Sequence, residues 1–184
     1  MITLQGDQKI KGMIHVYMGT GKGKTTAALG LGLRAIGRGL RVIMVQFLKG
    51  MDTGELHSVR TLEPQFQILR FERPHGFVWM LSKEDRQRLE KEIQIAWEYV
   101  QKLILGGECE VLILDELLDA IENKLIDLDE VIRVLKNRSE YLEIVLTGRS
   151  LPRPLMEMAD LVTEMNEIKH YFHSGVPARL GIEY

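Results

Sequence analysis

The run Gly19-Thr20-Gly21-Lys22-Gly23-Lys24-Thr25-Thr26 has the residue types needed to hold a triphosphate. A polyphosphate needs many N–H donors at close range and no side-chain bulk in the way. Gly21 and Gly23 let backbone amides turn inward together, and a helix starting just after them presents its positive end. Lys24 supplies a point charge, and the Thr25 hydroxyl can ligate a metal. Gly19, Thr20, Lys22 and Thr26 complete the expected nucleotide-binding set. The expected ligand is ATP with Mg²⁺, with Mn²⁺ as the alternative ion. One irregularity stands out. Counting back from Gly23 puts Met18 where the general pattern has its first glycine, so the loop is one residue short and carries the additional Lys22.

A second constellation is Val111-Leu112-Ile113-Leu114-Asp115-Glu116, an apolar run ending in two carboxylates. Carboxylates at the end of a strand beside a phosphate loop suit Mg²⁺, a hard ion that prefers oxygen ligands. Thr25 and Glu116 are the expected metal ligands, with Asp115 behind them or substituting. Arg149 follows another apolar run and is placed to meet phosphate. Phe77 and Trp79 lie two apart, so an extended chain would put them on one face. They could cover a flat apolar ligand or plug the space under a helix, and spacing alone favours the plug. His170 and His173 have no acid or thiol cluster beside them, so a zinc site is not expected. His15, His57 and His75 read as structural or solvated, and Cys109 as a buried thiol without a role.

These residues need elements to position them. Met13 to Met18, Arg41 to Phe47, Gln67 to Phe71, Val111 to Leu114, Leu142 to Leu146 and Leu161 to Glu164 read as strands. Between them, Thr25 to Arg38 reads as a helix stopped by glycine, and Ser82 to Leu105 as a long helix capped by Ser82. In the long helix Leu89, Ile93, Trp97, Val100 and Ile104 recur at helical spacing. Asp127 caps a helix running to about Asn137, and Pro152 to Met158 forms a short one. Strands that are continuous apolar runs alternating with helices predict an α/β fold, a mainly parallel sheet with helices on both faces. Ligands on such sheets bind beyond the C-terminal strand ends, where each motif above falls.

Bulk properties narrow the function classes. The chain has 184 residues, 45% of them hydrophobic and 27% charged, with a formal net charge of −2 and one cysteine. That suits one domain over 1–184 with a short N-terminal arm at 1–12. The charge balance argues against nucleic acid or a membrane surface as partner. With neither a signal pattern at Met1 to Asp7 nor a membrane-length apolar run, the cytoplasm is the expected compartment.

Taken together the motifs resemble the ATP:corrinoid adenosyltransferases of cobalamin synthesis and salvage. The resemblance runs from about Gly12 to Tyr184. It rests on the short loop Gly19 to Ala28, on Gln46-Phe47-Leu48-Lys49-Gly50 and Gly76-Phe77-Val78-Trp79, and on Leu114-Asp115-Glu116 and Thr147-Gly148-Arg149. Ala159-Asp160 through Glu164, Lys169-His170, Gly175-Val176 with Ala178, and Gly181-Ile182-Glu183-Tyr184 complete it.

The resemblance implies a recombinase-like phosphate-loop NTPase-like fold, a homodimer, and transfer of the 5′-deoxyadenosyl group of ATP to cobalt(I) of a corrinoid with release of triphosphate. It implies an ATP held so that its 5′ carbon faces the acceptor, and a reduced flavoprotein as electron donor. It also reassigns Phe77 and Trp79 from plug to catalytic residues, packing on the corrin and helping to remove the lower axial ligand of cobalt(II). With them Lys24 is the expected catalytic residue, stabilising the leaving triphosphate. Val78 stands where the family often has Thr. Two rivals use the same loop: a kinase or ATPase, which would leave ADP or AMP, and a non-catalytic module that binds ATP and corrinoid.

Overall fold

The computed structural model describes residues 11–184. Most of the expected arm at 1–12, residues 1–10, lies outside the described residues. Six strands form one parallel sheet: β1 (Ile14–Met18), β2 (Val42–Gln46), β3 (Phe66–Leu69), β4 (Val111–Asp115), β5 (Glu143–Gly148) and β6 (Leu161–Glu164), in the order β3-β2-β4-β5-β1-β6. The helices are α1 (Lys24–Ile36), α2 (Gly54–Arg60), α3 (Lys83–Gly106), α4 (Leu117–Glu122), α5 (Leu128–Lys136) and α6 (Arg153–Met158). This is the α/β phosphate-loop class expected from the sequence. Among the described residues no helix is long and apolar enough to cross a membrane.

The apolar runs are continuous because the sheet is covered on both faces. Every residue of β2 and β4 is buried. Alternate side chains go to opposite layers. Leu112 and Leu114 join the core under α3, α4 and α5, while Val111 and Ile113 pack with Ala28 and Ala35 of α1 and Val59 of α2. The edge strand β6 is exposed along its length. The stripe expected on α3 is the one that buries: Leu89, Ile93, Trp97, Val100 and Ile104 are each at most 2% exposed. The Ser82 hydroxyl accepts from the Asp85 N–H at 3.0 Å and caps the helix, and Gly107, at φ 67°, ends it. Asp127 caps α5 in the same way, accepting from the Glu130 N–H at 2.9 Å.

Two helices have no counterpart in the sequence reading. α4 follows β4 with only Glu116 between them, so its apolar residues run on from the strand's. α2 buries one side chain, Val59, and therefore has no periodic signal. A third difference concerns the aromatic segment. It is not extended: Val78–Met80 is a 3₁₀ turn.

Candidate functional site

The C-terminal ends of β1, β2, β4 and β5 share one edge of the sheet. Their register sets Gln46 beside Asp115 and Met18 beside Gly148. The glycine loop leaves β1 at this edge and enters α1 at Lys24, the strand–loop–helix context that phosphate binding requires. Gly19 and Gly23 have φ of 112° and 115°, a region side chains avoid. The strap after β6 lies directly on the loop, where the Gly21 N–H donates to the Met165 carbonyl at 2.7 Å. A Cβ on Gly21 would sit 2.7 Å from that oxygen and 2.9 Å from the Asn166 carbonyl carbon. Because both neighbours are backbone, Gly21→Ala is expected to displace the loop at a cost of about 1–3 kcal/mol. Borne by the loop, that is roughly a tenfold to hundredfold loss of ATP affinity, to be read by calorimetric titration.

Lys24 curls over the loop. Its Nζ donates to the carbonyls of Gly19 at 2.7 Å and Gly21 at 2.9 Å. Burial lowers its pKa and Arg149 adds to this, while Asp119, Glu116 and Asp115 oppose it. Arg149 meets the loop through its backbone, its carbonyl accepting from the Gly19 N–H at 3.1 Å and its N–H donating to Asp119 Oδ2 at 3.2 Å. Thr20 and Thr26 are exposed at the loop's rim. Lys22 is engaged elsewhere. Its Nζ donates to the Ile182 carbonyl at 3.0 Å and to Glu183 at 3.1 Å. Glu183 also accepts from Arg179 and from the Tyr171 hydroxyl, which hold its carboxyl well below the usual range. Residues 182 and 183 are thereby tied to the glycine loop.

Asp115, wholly buried, is the hub of the acidic end. Its Oδ1 accepts from Thr25 Oγ1 at 2.9 Å and Thr147 Oγ1 at 2.7 Å, and its Oδ2 from Gln46 Nε2 at 3.1 Å and Lys49 Nζ at 2.6 Å. The Lys49 ammonium also donates to Thr25 Oγ1 at 3.0 Å and lies 3.8 Å from Glu116 Oε1. Thr25, Asp115 and Glu116 thus converge on one cation. A hard-oxygen set already gathered around positive charge fits Mg²⁺ chemically. Glu116 is held at φ 60°, a left-handed backbone that costs a non-glycine residue about 1 kcal/mol or more. Its N–H donates to Thr147 Oγ1 at 2.9 Å, which fixes this conformation.

Sequence reasoning left Gln46, Lys49 and Thr147 without roles. A signal existed for Gln46, a polar residue closing an apolar strand as Asp115 does. Lys49 and Thr147 reach Asp115 only through tertiary contact, across 66 and 32 residues of chain.

The aromatic pair does not plug the core. Phe77 and Trp79 are 63% and 73% exposed, with rings stacked at 4.7 Å between centroids and 13° between planes. The plug is Val78, at 7% exposure. Of the remaining candidates, His15 pairs with Glu143 at 2.7 Å and His173 with Glu167 at 2.7 Å, and burial pushes the Cys109 thiol up to about 12.

Comparison with known proteins returns consistent matches. The sequence model of the family described as ATP:corrinoid adenosyltransferase BtuR/CobO/CobP matches residues 10–184. A corrinoid adenosyltransferase of Escherichia coli (strain K12) is 34% identical over 178 residues, covering 96% of this chain and 88% of the relative. One from Sinorhizobium sp is 40% identical over 178 residues, covering 95% and 81%. One from Pseudomonas aeruginosa is 34% identical over 177 residues, covering 95% and 84%.

Proposed function

The chain belongs to the ATP:corrinoid adenosyltransferase family, and from that premise we propose that it transfers the 5′-deoxyadenosyl group of ATP to the cobalt of a corrinoid. Cobalt(I) of the substrate attacks the 5′ carbon, the cobalt–carbon bond forms as the carbon–oxygen bond breaks, and triphosphate leaves with the electron pair. Cobalt(I) is a strong nucleophile, so the protein need supply neither base nor nucleophile. Its work is alignment, exclusion of water and stabilisation of the leaving charge. The loop amides and Lys24 would take that charge. Phe77 and Trp79 would form the corrin platform, and Arg149 would add positive charge near the phosphates.

The observation that carries this reading is the exposed Phe77–Trp79 stack on a segment packed against Gly50, the neighbour of Lys49 at the C-terminal edge of the sheet. A phosphoryl transferase has no need of such a platform, and family membership does not favour the kinase, ATPase or carrier alternatives. The test mixes protein, MgATP and chemically reduced cobalamin without oxygen and follows absorbance. A product whose cobalt–carbon bond is cleaved by light is expected. Its absence, with ATP demonstrably bound, would overturn the assignment.

Thr25 and Glu116 would hold Mg²⁺, with Asp115 orienting Thr25. When bound, the ion neutralises charge on the phosphates. Burial pushes the Glu116 carboxyl up to about 7, with Asp115 and Asp119 adding to it and Lys49 and Arg149 opposing. The side chain keeps 33% exposure, so solvent screens part of that shift. A proton then competes with the metal. Mg²⁺ affinity measured calorimetrically on the nucleotide-free protein should climb by up to about tenfold per pH unit below neutrality and level off above it. Glu116→Gln should weaken binding and flatten the profile. The linkage to stability has the opposite slope: the raised pKa favours the fold fully below about 4.5, and that contribution is lost as pH rises through about 7.

The proposal extends to one domain over 1–184, a homodimer, a reduced flavoprotein donor and a cytoplasmic setting, with neither nucleic acid nor membrane as partner. The resemblance and the composition support these.

A further inference from the structure

Glu72 and His75 form a buried pair at the root of the segment carrying Phe77 and Trp79. Their side chains are 1% and 9% exposed. His75 Nδ1 lies 2.7 Å from the Gly76 carbonyl oxygen, and Nε2 lies 3.2 Å from Glu72 Oε2. Each ring nitrogen therefore faces an oxygen. A carbonyl only accepts, so Nδ1 carries a hydrogen. The second contact is a hydrogen bond only when another proton is present, on Nε2 or on the carboxyl. Without it, a lone pair faces a carboxylate oxygen in a buried setting, where such repulsion is weakly screened.

The contact spans a short irregular stretch that is packed on two sides. A Cβ on Gly50 would lie 2.5 Å from Pro74 Cα and 2.9 Å from the Arg73 carbonyl oxygen, so this stretch rests on the chain next to Lys49. On the other side Glu92 of α3 accepts from the Arg73 N–H at 3.1 Å and pairs with its guanidinium at 3.3 Å. Burial raises the Glu72 pKa and Glu92 adds to it, while His75 and the Leu48 backbone amide oppose it. The ammonium of Lys49, on the packed segment, is engaged with Asp115. Glu72 Oε1 has no hydrogen-bond partner among the described residues, which further penalises the ionised form.

We propose that Glu72 and His75 are positioning residues for adenosyl transfer: while they share a second proton they clasp the stretch between them and hold Phe77 and Trp79 in place, and loss of that proton releases the aromatic segment. This rests on the reading of Phe77 and Trp79 as the corrin platform.

Glu72→Gln gives the sharpest test. A glutamine N–H can donate to Nε2 of a neutral His75, keeping both hydrogen bonds with no proton to lose. The protein has two tryptophans, and Trp97 is fully buried, so emission quenched by acrylamide reports Trp79. Between about pH 6 and about pH 9, quenching of the wild type should rise on the alkaline side, and the corrin KM should rise with it while the ATP KM stays level. In Glu72→Gln both alkaline rises should be lost, and His75→Ala should show high quenching at every pH. The same alkaline rise in Glu72→Gln as in the wild type would overturn the clasp while leaving the platform reading intact. Quenching that behaves as described, with a corrin KM unmoved in every variant and in Trp79→Ala, would overturn the platform reading and the positioning role together.

Discussion

Lys24→Ala is expected to lower kcat by about 10²- to 10³-fold, the loss seen when one preorganised donor to a developing charge is removed. The leaving triphosphate gains negative charge as the bond to the 5′ carbon breaks, so an ammonium on it is worth more in the transition state than in the bound complex. Affinity for ATP should fall less, because the loop amides and the N-terminus of α1 remain. Lys24→Arg should not restore the rate. The ammonium fits between the Gly19 and Gly21 carbonyls at 2.7 and 2.9 Å, and the larger planar guanidinium does not match that pocket. The fold should survive, since among the described residues the side chain hydrogen-bonds only within its own loop. Steady-state kinetics with pre-reduced cobalamin and circular dichroism of each variant check both parts. Equal losses in kcat for Lys24→Ala and for a distant surface lysine would contradict the role.

The second large effect is expected from Phe77→Ala combined with Trp79→Ala. Each ring can bury about 150–250 Å² against a flat ligand, worth several kcal/mol at about 25 cal/mol per Å². Corrin binding and transfer should therefore fall by about 10²-fold or more, while ATP affinity, read by calorimetry, stays within about twofold. If the rings also help strip the axial ligand from cobalt(II), the loss should be larger when cobalamin is offered as cobalt(II) with a reductant than when it is supplied as cobalt(I). Both rings are more than 60% exposed, so stability should change by no more than about 0.5 kcal/mol. Val78→Ala, between them at 7% exposure, should behave in the opposite way and destabilise the fold measurably with little effect on corrin affinity. A double variant that binds corrin as the wild type does would remove the platform from the account.

The fold was legible where burial is symmetric. The strands that form the centre of the sheet are covered on both faces, so they read as unbroken apolar runs, and α3 buries one stripe, so it reads as periodic. α2 and α4 escaped because the first buries a single side chain and the second continues the apolar run of β4. The glycine loop, proposed to hold the nucleotide, was legible because its pattern is local, within eight consecutive residues. Lys49 on Asp115 and Glu183 on Lys22 were not, because tertiary packing brings them together from 66 and 161 residues apart. The aromatic pair shows the limit of spacing. Two residues apart means one face only if the chain is extended, and here a 3₁₀ turn stacks the rings outward while Val78 turns in.

Phosphorus NMR on a single anaerobic turnover, with protein, MgATP and cobalt(I) cobalamin in equal amounts, reads which bond of ATP breaks. One inorganic triphosphate for each corrinoid adenosylated is the result expected if the loop from Gly19 to Thr26 holds a leaving group. ADP with phosphate, or AMP with pyrophosphate, appearing as the primary product would contradict it.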